Sequence, residues 1–477
     1  MPDYSSPKHK LHDLIKSLKP SEVLTRDSSD YAYHSLAFSA HRERFPSIVF
    51  APESVESLSR IVRELYVSDV DFDIRGHGFK FNSGCVVVSM VNFNGFEYDR
   101  QSKLATIGVG LTWSEVCHEL AKVDPEYTTL VARTAVVGVG GCVLLGGYSW
   151  RSGALGCISD PANFLDAEVV KNDGSVVMAS SEPDLMWGLR GGGGGFGVVT
   201  KVILRAHPCS TKIWAGNILV PRSELSRIAR GMTQIMERDD EPGVTGFLYI
   251  MRDQVSEALR GQDDQKDGFS TGENLVIYAY DEYGEEHGRR TFQFALDAPG
   301  AVDLTKVTNM EGVTNGQANV GELRGKTRIE FQTIALEQLS YELIMKSAEW
   351  FDTLPSYGGS IAQTAMLAFE FKALGPINGG TTASCAYPRP PNLKHILLIG
   401  TGCRADASAE EQAQAHQVTL NAPRAIMGDD VELHITAAGL EDWHDKRVTY
   451  GENYDKLVQV RQTHDPKGRF KALVPVS

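Results

Sequence analysis

Three glycine-rich segments are the parts of this chain whose residue types and spacing could do chemistry. The first, Arg75-Gly76-His77-Gly78-Phe79, follows a strand expected at Phe72 to Ile74. Glycines after a strand let successive backbone N–H groups converge on a phosphate, although a loop with two glycines is by itself also an ordinary turn. The second runs Gly138-Val139-Gly140-Gly141-Cys142, continues through Gly146-Gly147-Tyr148 and closes at Gly156 and Asp160. Glycine where an apolar stretch would otherwise supply core side chains implies backbone lying against something flat or bulky. A tightly folded turn system is the plainer reading. The third places Gly191 to Gly195 between Trp187-Gly188-Leu189-Arg190 and Phe196-Gly197-Val198-Val199-Thr200. A flexible linker would not lead straight into an apolar strand.

Such loops need rigid elements to hold them, and alternating helix and strand patterns supply these. Ser54 is placed to cap a helix with Val55, Leu58, Ile61, Val62 and Leu65 on one stripe, and Val86-Val87-Val88 reads as a buried strand. Ala105 to Val109 predicts a strand, Trp113 to Leu120 a helix, and Glu168 to Ala179 a hairpin turning at Asn172-Asp173-Gly174. Asp184 to Leu189 follows as a short helix and Val198 to Leu204 as a strand. Further on, Gly246 to Met251, Leu275 to Tyr280, Ala365 to Phe371 and His395 to Thr401 read as strands, with helices near Arg222 to Met236 and Ser340 to Phe351. An α+β layer with a central sheet is expected there. A chain of 477 residues exceeds what one core holds, about 250 to 300 residues. The expected division is 1–210, 211–435 and a closing segment 436–477.

Composition narrows the function classes. With 42% hydrophobic and 23% charged residues the chain reads as an ordinary globular protein. A net charge of -14 excludes a nucleic-acid binder, which needs a basic face to displace counterions. The seven cysteines, Cys85, Cys117, Cys142, Cys157, Cys209, Cys385 and Cys403, stand singly without CxxC spacing, as free thiols in a reducing compartment do. The 13 histidines form no HxH or HExxH cluster, so no metal site is expected. Near the N-terminus Leu11, Leu14, Ile15 and Leu18 fall at helical spacing, without the apolar run of a signal peptide or membrane span. The expectation is a cytoplasmic protein without a membrane partner.

The order and spacing of the glycine segments resemble the FAD-binding domain of the vanillyl-alcohol oxidase and p-cresol methylhydroxylase (PCMH) superfamily, in its berberine-bridge-enzyme-like branch. The resemblance opens at Phe45-Pro46-Ser47-Ile48-Val49-Phe50-Ala51-Pro52 and passes through all three segments. It returns at Tyr450-Gly451-Glu452-Asn453-Tyr454-Asp455-Lys456-Leu457 and His464-Asp465-Pro466. The fold it implies is α+β, a PCMH-type FAD-binding domain of two α/β subdomains plus a substrate domain whose antiparallel sheet is covered by helices. It further implies that Arg75, Gly76, His77, Gly78 and Phe79 wrap the pyrophosphate and that Gly138, Val139, Gly140, Gly141 and Cys142 run along the cofactor. Gly146, Gly147 and Asp160 would shape the isoalloxazine side, Gly197 and Val198 the adenine end, and Asn453 would approach the ring.

This chain departs from the pattern where the family attaches its flavin. The residue four after the loop arginine is commonly a histidine bonded to the flavin; here it is Phe79, which has no nucleophilic atom. A second link comes in many relatives from a cysteine whose place is held here by Thr134, and Leu145 and Pro161 replace the frequent Gly and Asn. Noncovalent FAD is expected, with His77 as the alternative point of attachment.

Flavin beside an organic substrate implies hydride transfer with O2 as the acceptor, and no glycine segment carries an NAD(P)H fingerprint. Absence of both tethers equally suits redox-neutral chemistry, an isomerase or cyclase, and a noncatalytic binding protein is the third reading. The substrate is expected to be a small lipophilic specialised metabolite. Candidate acid/base groups are Tyr148, Glu370, Tyr387, Arg389 and His434, with Trp443 and His444 as further substrate contacts. Glu370 sits in an apolar strand, where burial alone would favour its protonated form.

Overall fold

The computed structural model describes residues 11–43, 45–79, 85–236, 241–252, 274–372, 383–387 and 392–475. Three sheets organise them. The first holds β1 (Val23–Leu24), β2 (Ile48–Phe50), β3 (Phe72–Arg75) and β4 (Val86–Ser89) in the order β1-β2-β4-β3. Strand β4 runs parallel to both β2 and β3, so the chain must cross over between β2 and β3. The Val55–Val67 helix makes that crossing; Ser54 caps it through the Ser57 N–H, and Leu58, Ile61, Val62 and Leu65 are fully buried.

The second sheet contains β5 (Phe96–Asp99), β6 (Leu104–Gly108), β7 (Tyr127–Thr129), β8 (Phe164–Val170), β9 (Val176–Met178) and β10 (Val198–Pro208). It is antiparallel, in the order β5-β6-β10-β8-β9 with β7 on the end of β10. Gly174 turns the β8–β9 hairpin at φ +83°. The Trp113–Val123 helix starts with a capping box formed by Thr112 and Glu115. One expected loop is a helix instead: Val139–Leu144 is helical, with Gly138 as its N-cap.

The third sheet comprises β11 (Ile213–Pro221), β12 (Val244–Met251), β13 (Asn274–Asp281), β14 (Val302–Asp303), β15 (Lys306–Thr308), β16 (Glu330–Leu336), β17 (Met366–Lys372) and β18 (His395–Thr401). It is antiparallel in the order β14-β11-β13-β12-β17-β18-β16, with β15 beside β11. Its two faces have different roles. Leu248, Leu367, Phe369 and Leu397 look towards the Leu225–Met236, Tyr341–Thr353 and Ala409–Met427 helices, and a Cβ on Gly246 would strike Met232 and Phe292. Register puts Thr245, Phe247, Tyr278, Tyr280, Glu370 and Lys372 on the opposite face. Fully buried Trp150, from the segment after Tyr148, packs there against Phe247, Tyr278 and Tyr280 at 4.8, 4.6 and 5.8 Å, and its carbonyl accepts from Thr245 Oγ1 at 2.8 Å. That aromatic stack ties the segment after Gly147 to the third sheet.

The chain then returns to the first sheet. The Tyr454–His464 helix packs on the Pro183–Leu189 helix, the Asp465 carboxylate accepts from Arg461 and from the Arg469 and Phe470 N–H groups, and Arg469 donates to the Val70 and Leu65 carbonyls. Among the described residues no helix is long and apolar enough to cross a membrane, and no His/Cys/Asp/Glu cluster could hold a metal. All seven cysteines are free thiols.

Candidate active site

The loop after β3 is held by its own arginine. Arg75 is buried, donates Nε and Nη2 to the Leu36 carbonyl at 3.2 and 2.8 Å, and sends Nη1 to the Gly76 carbonyl at 2.8 Å. Burial, and then the charge of nearby Arg324, push it down to about 10. His77 gives Nε2–H to the Gly110 carbonyl at 2.7 Å; because a carbonyl only accepts, that nitrogen carries the proton. Burial holds this imidazole below its ordinary value, against the raising effect of the Gly110 bond. Phe79 stacks on Phe38 at 4.2 Å and 16°, and the Arg324 guanidinium lies over both rings at 5.7 and 5.6 Å.

The backbone of this loop leaves donors that no described residue uses. Among the described residues no acceptor takes the N–H of Gly76, His77, Gly78 or Phe79. A Cβ on Gly76 or Gly141 would meet nothing within 4 Å, so both border open space. Successive N–H groups that no described residue accepts, beside open glycine backbone, fit an anionic cofactor such as FAD. The other glycines have a different reason to lack side chains: a Cβ on Gly78 would meet the Leu36 carbonyl oxygen at 2.7 Å, on Gly138 the His77 ring at 2.8 Å, on Gly147 Ile158 at 2.9 Å and on Gly197 Val169 at 2.7 Å. Gly140 faces Val109, and Val139 and Val198 lie in the core. The Cys142 thiol is pushed up to about 11 by burial, so it stays protonated. Asp160 is buried and accepts from the Cys157 N–H at 2.7 Å, closing its own turn.

Asn453 stitches the C-terminal segment to residues 385–386, donating Nδ2 to the Cys385 and Ala386 carbonyls at 2.9 and 3.2 Å. The Ala386 N–H in turn donates to the Trp187 and Arg190 carbonyls. These bonds fix Tyr387, whose Cβ lies where a side chain on Gly191 (φ +92°) would go, at 2.5 Å. The glycine run is therefore a close-approach surface for the Tyr387 segment.

Tyr148, Tyr387 and His434 come together. With Ala335, Leu393, Ile435 and Thr449 they line a small, partly open cleft. Tyr148 leaves a turn that Gly146 and Gly147 make at φ +97° and +70°, a conformation that side chains rarely adopt. His434 pairs with the exposed Glu432 at 3.3 Å, and Thr449 donates to the Ile435 carbonyl. Glu370 lies behind this cleft, in a setting unlike the apolar one its strand suggests. It is 2% exposed and forms ion pairs with Arg133 and with Lys372, the latter at 3.6 Å. Two cations favour the charged carboxylate over the shared-proton acid that burial alone would give. Burial pulls Arg133 below its ordinary value. The Tyr148 ring has Lys372 Nζ at 3.9 Å and Arg133 Cζ at 5.9 Å.

Arg133 and Lys372 were not among the candidates read from the sequence. Lys372 stands two residues after Glu370 and shares its face by strand alternation, a signal that was available; Arg133 meets them only through the tertiary fold. Trp443 is partly exposed with its ring against His416 and His444, and His444 uses both nitrogens, on Gln332 Oε1 at 2.6 Å and the Glu441 N–H at 2.9 Å. Neither lines the cleft. Arg389 lies outside the described residues.

Comparison with known proteins agrees with this geometry. A family described as the FAD binding domain matches residues 46–180. An uncharacterised FAD-linked oxidoreductase of Arthroderma benhamiae is 30% identical over 48% of this chain, and the chain spans about half the length of that relative (47%). A FAD-dependent monooxygenase of Aspergillus calidoustus is 30% identical over 90% of this chain and 81% of its own length. In fold, the berberine bridge enzyme of Eschscholzia californica superposes with a TM-score of 0.79 at 14% identity, covering 98% of this chain and 99% of that one. These matches show FAD to be the cofactor, and the chain belongs to the FAD-linked oxidoreductases with a PCMH-type, berberine-bridge-enzyme-like fold.

Proposed function

We propose that this protein is an oxidase that removes a hydride and a proton from a small, largely apolar organic molecule of specialised metabolism, with O2 as the final acceptor. The reading rests on one observation: Tyr148, leaving the Gly146–Gly147 turn of the cofactor domain, lines a cleft and has Lys372 and Arg133 against its ring. Bound FAD supplies the hydride acceptor. The loop N–H groups of Gly76 to Phe79 and the open backbone at Gly76 and Gly141 hold it. With Phe79 and Thr134 at the two attachment positions, and His77 Nε2 committed to Gly110, the grip is noncovalent.

The protein's own work is to orient the substrate and to handle its proton. Cations beside a phenol stabilise the charge it gains on losing its proton, so Tyr148 in its phenolate form accepts the proton of a substrate O–H or N–H. Tyr387, Leu393 and Ile435 supply the apolar walls, and His434 and Thr449 the polar edge. The absence of both tether residues also favours a redox-neutral isomerase or cyclase built on the same cleft. Anaerobic incubation of the FAD-loaded enzyme with a converted substrate separates the two readings. Bleaching of the flavin absorbance in step with product supports the oxidase. Product formed with no bleaching replaces it by the redox-neutral reading.

A further inference from the structure

On the reading that the Gly76–Phe79 loop holds the FAD pyrophosphate, we infer that Arg324 is the side-chain cation of that site, its guanidinium donating to the phosphate oxygens. Arg324 follows the Ala318–Leu323 3-10 helix on the way into β16, far in sequence from the loop. Backbone hydrogen bonds bring the two together. The Phe38 N–H donates to the Gly78 carbonyl at 2.8 Å, and the Gly325 N–H donates to the Phe38 carbonyl at 2.9 Å. Residues 36–38 are therefore clamped between the loop and the Arg324 turn, and the Ala40 N–H on the Thr327 carbonyl at 2.8 Å extends the clamp. The Leu36 carbonyl oxygen occupies the place of a Gly78 Cβ at 2.7 Å and also accepts from Arg324 Nη1 at 3.4 Å. Arg324 and the loop backbone thus meet at one atom.

Two arginines stand at that atom, and they are committed differently. Arg75 uses Nε and Nη2 on the Leu36 carbonyl and Nη1 on the Gly76 carbonyl, so it staples the loop to its own chain. Among the described residues Arg324 has no carboxylate partner, and its hydrogen bonding is the one long bond to Leu36. A guanidinium carries five N–H donors, so most of them remain for a ligand. Glu43, the carboxylate closest in effect, acts on Arg75 and accepts the Ala37 and Phe45 N–H groups. Burial, offset in part by the Tyr33 phenol, holds Arg324 below its ordinary value. The stacked Phe38 and Phe79 rings support the guanidinium at 5.7 and 5.6 Å. A supported guanidinium beside loop N–H groups that no described residue accepts is complementary to a pyrophosphate, which takes both kinds of donor. Phe79 then has a second meaning. The residue that stands at the attachment position holds up a cation, and a charge-assisted grip replaces the covalent one.

FAD affinity is read from the flavin fluorescence released when the FAD-loaded full chain is diluted, at low and at high salt. Arg324→Met is expected to weaken FAD binding about 10- to 100-fold and to flatten its salt dependence, while Arg324→Lys keeps most of the affinity. Parental FAD binding in Arg324→Met overturns the inference. So does an equal loss in the Lys and Met variants with the salt dependence of the parent, which would reduce Arg324 to a packing partner of the two rings. Gly76→Asp tests the loop separately, because a Cβ there meets nothing within 4 Å and the added carboxylate repels a phosphate. FAD binding unchanged in Gly76→Asp removes the loop as the phosphate site, and the inference with it. FAD lost in Gly76→Asp but kept in Arg324→Met leaves the loop standing and overturns Arg324 alone.

Discussion

In the proposed mechanism, Tyr148 is the residue on which the chemistry turns. Its ring is fixed by Lys372 and Arg133 from the far side of an interdomain seam, and its position is fixed by two glycines in the left-handed region. Replacing it with phenylalanine keeps the ring and the cation contacts but removes the proton acceptor. Turnover of Tyr148→Phe should fall by about 10²- to 10⁴-fold, with FAD content and melting temperature unchanged; turnover within a few-fold of the parent would take Tyr148 out of the proton transfer. Glu370 shows where residue-scale reading stops. Its strand and burial are legible at once, but its partner Arg133 stands more than two hundred residues earlier in the chain. Local pattern carries no trace of such a contact.

At the scale of elements, strands and turns were legible wherever apolar alternation and turn chemistry agree, as in the Asn172-Asp173-Gly174 hairpin and in β12, β13, β17 and β18. The Val139–Leu144 helix escaped notice because glycines are poor helix formers that tertiary packing has overruled. The Ala409–Met427 helix escaped because its Glu, Gln and Ala run carries a weak apolar stripe and a proline at Pro423. The glycine segments were read as cofactor backbone, and only part of that is visible: Gly76 and Gly141 border open space, whereas Gly78, Gly138, Gly147, Gly191 and Gly197 make room for protein. Asn453 has a comparable double meaning. Its amide holds the Cys385–Tyr387 segment in place, so Asn453→Ala should cost about 1–3 kcal/mol by leaving buried carbonyls unpaired and should loosen the Tyr387 wall. Urea unfolding checks this; an unchanged midpoint would mean that the segment is held by Arg190 and Trp187 alone.

Across the whole molecule, Trp150 packs on the third sheet and the C-terminal segment returns to the first. The helix-covered face of the third sheet holds an acid-sensitive group. His395 is pulled down to about 3, by burial and then by the charges of Lys372 and Lys394, against about 6.5 in an unfolded chain. A depressed histidine contributes fully above its unfolded value, and the contribution drains away as pH falls from there towards the folded value. At pH 5 the loss from this residue is about 2 kcal/mol. The parent should therefore lose more stability between pH 7 and pH 5 than His395→Gln, which keeps an acceptor for the Lys372 N–H but does not titrate. Parallel pH profiles would assign the acid sensitivity elsewhere.

The central claim is that the FAD of this protein is held by backbone and packing, with Phe79 and Thr134 in place of the attachment residues. Acid precipitation of the purified yellow protein tests it most directly. A colourless pellet, with all the flavin in the supernatant, is expected. A pellet that keeps its yellow colour after washing would contradict it, and would point to His77 as the attachment site.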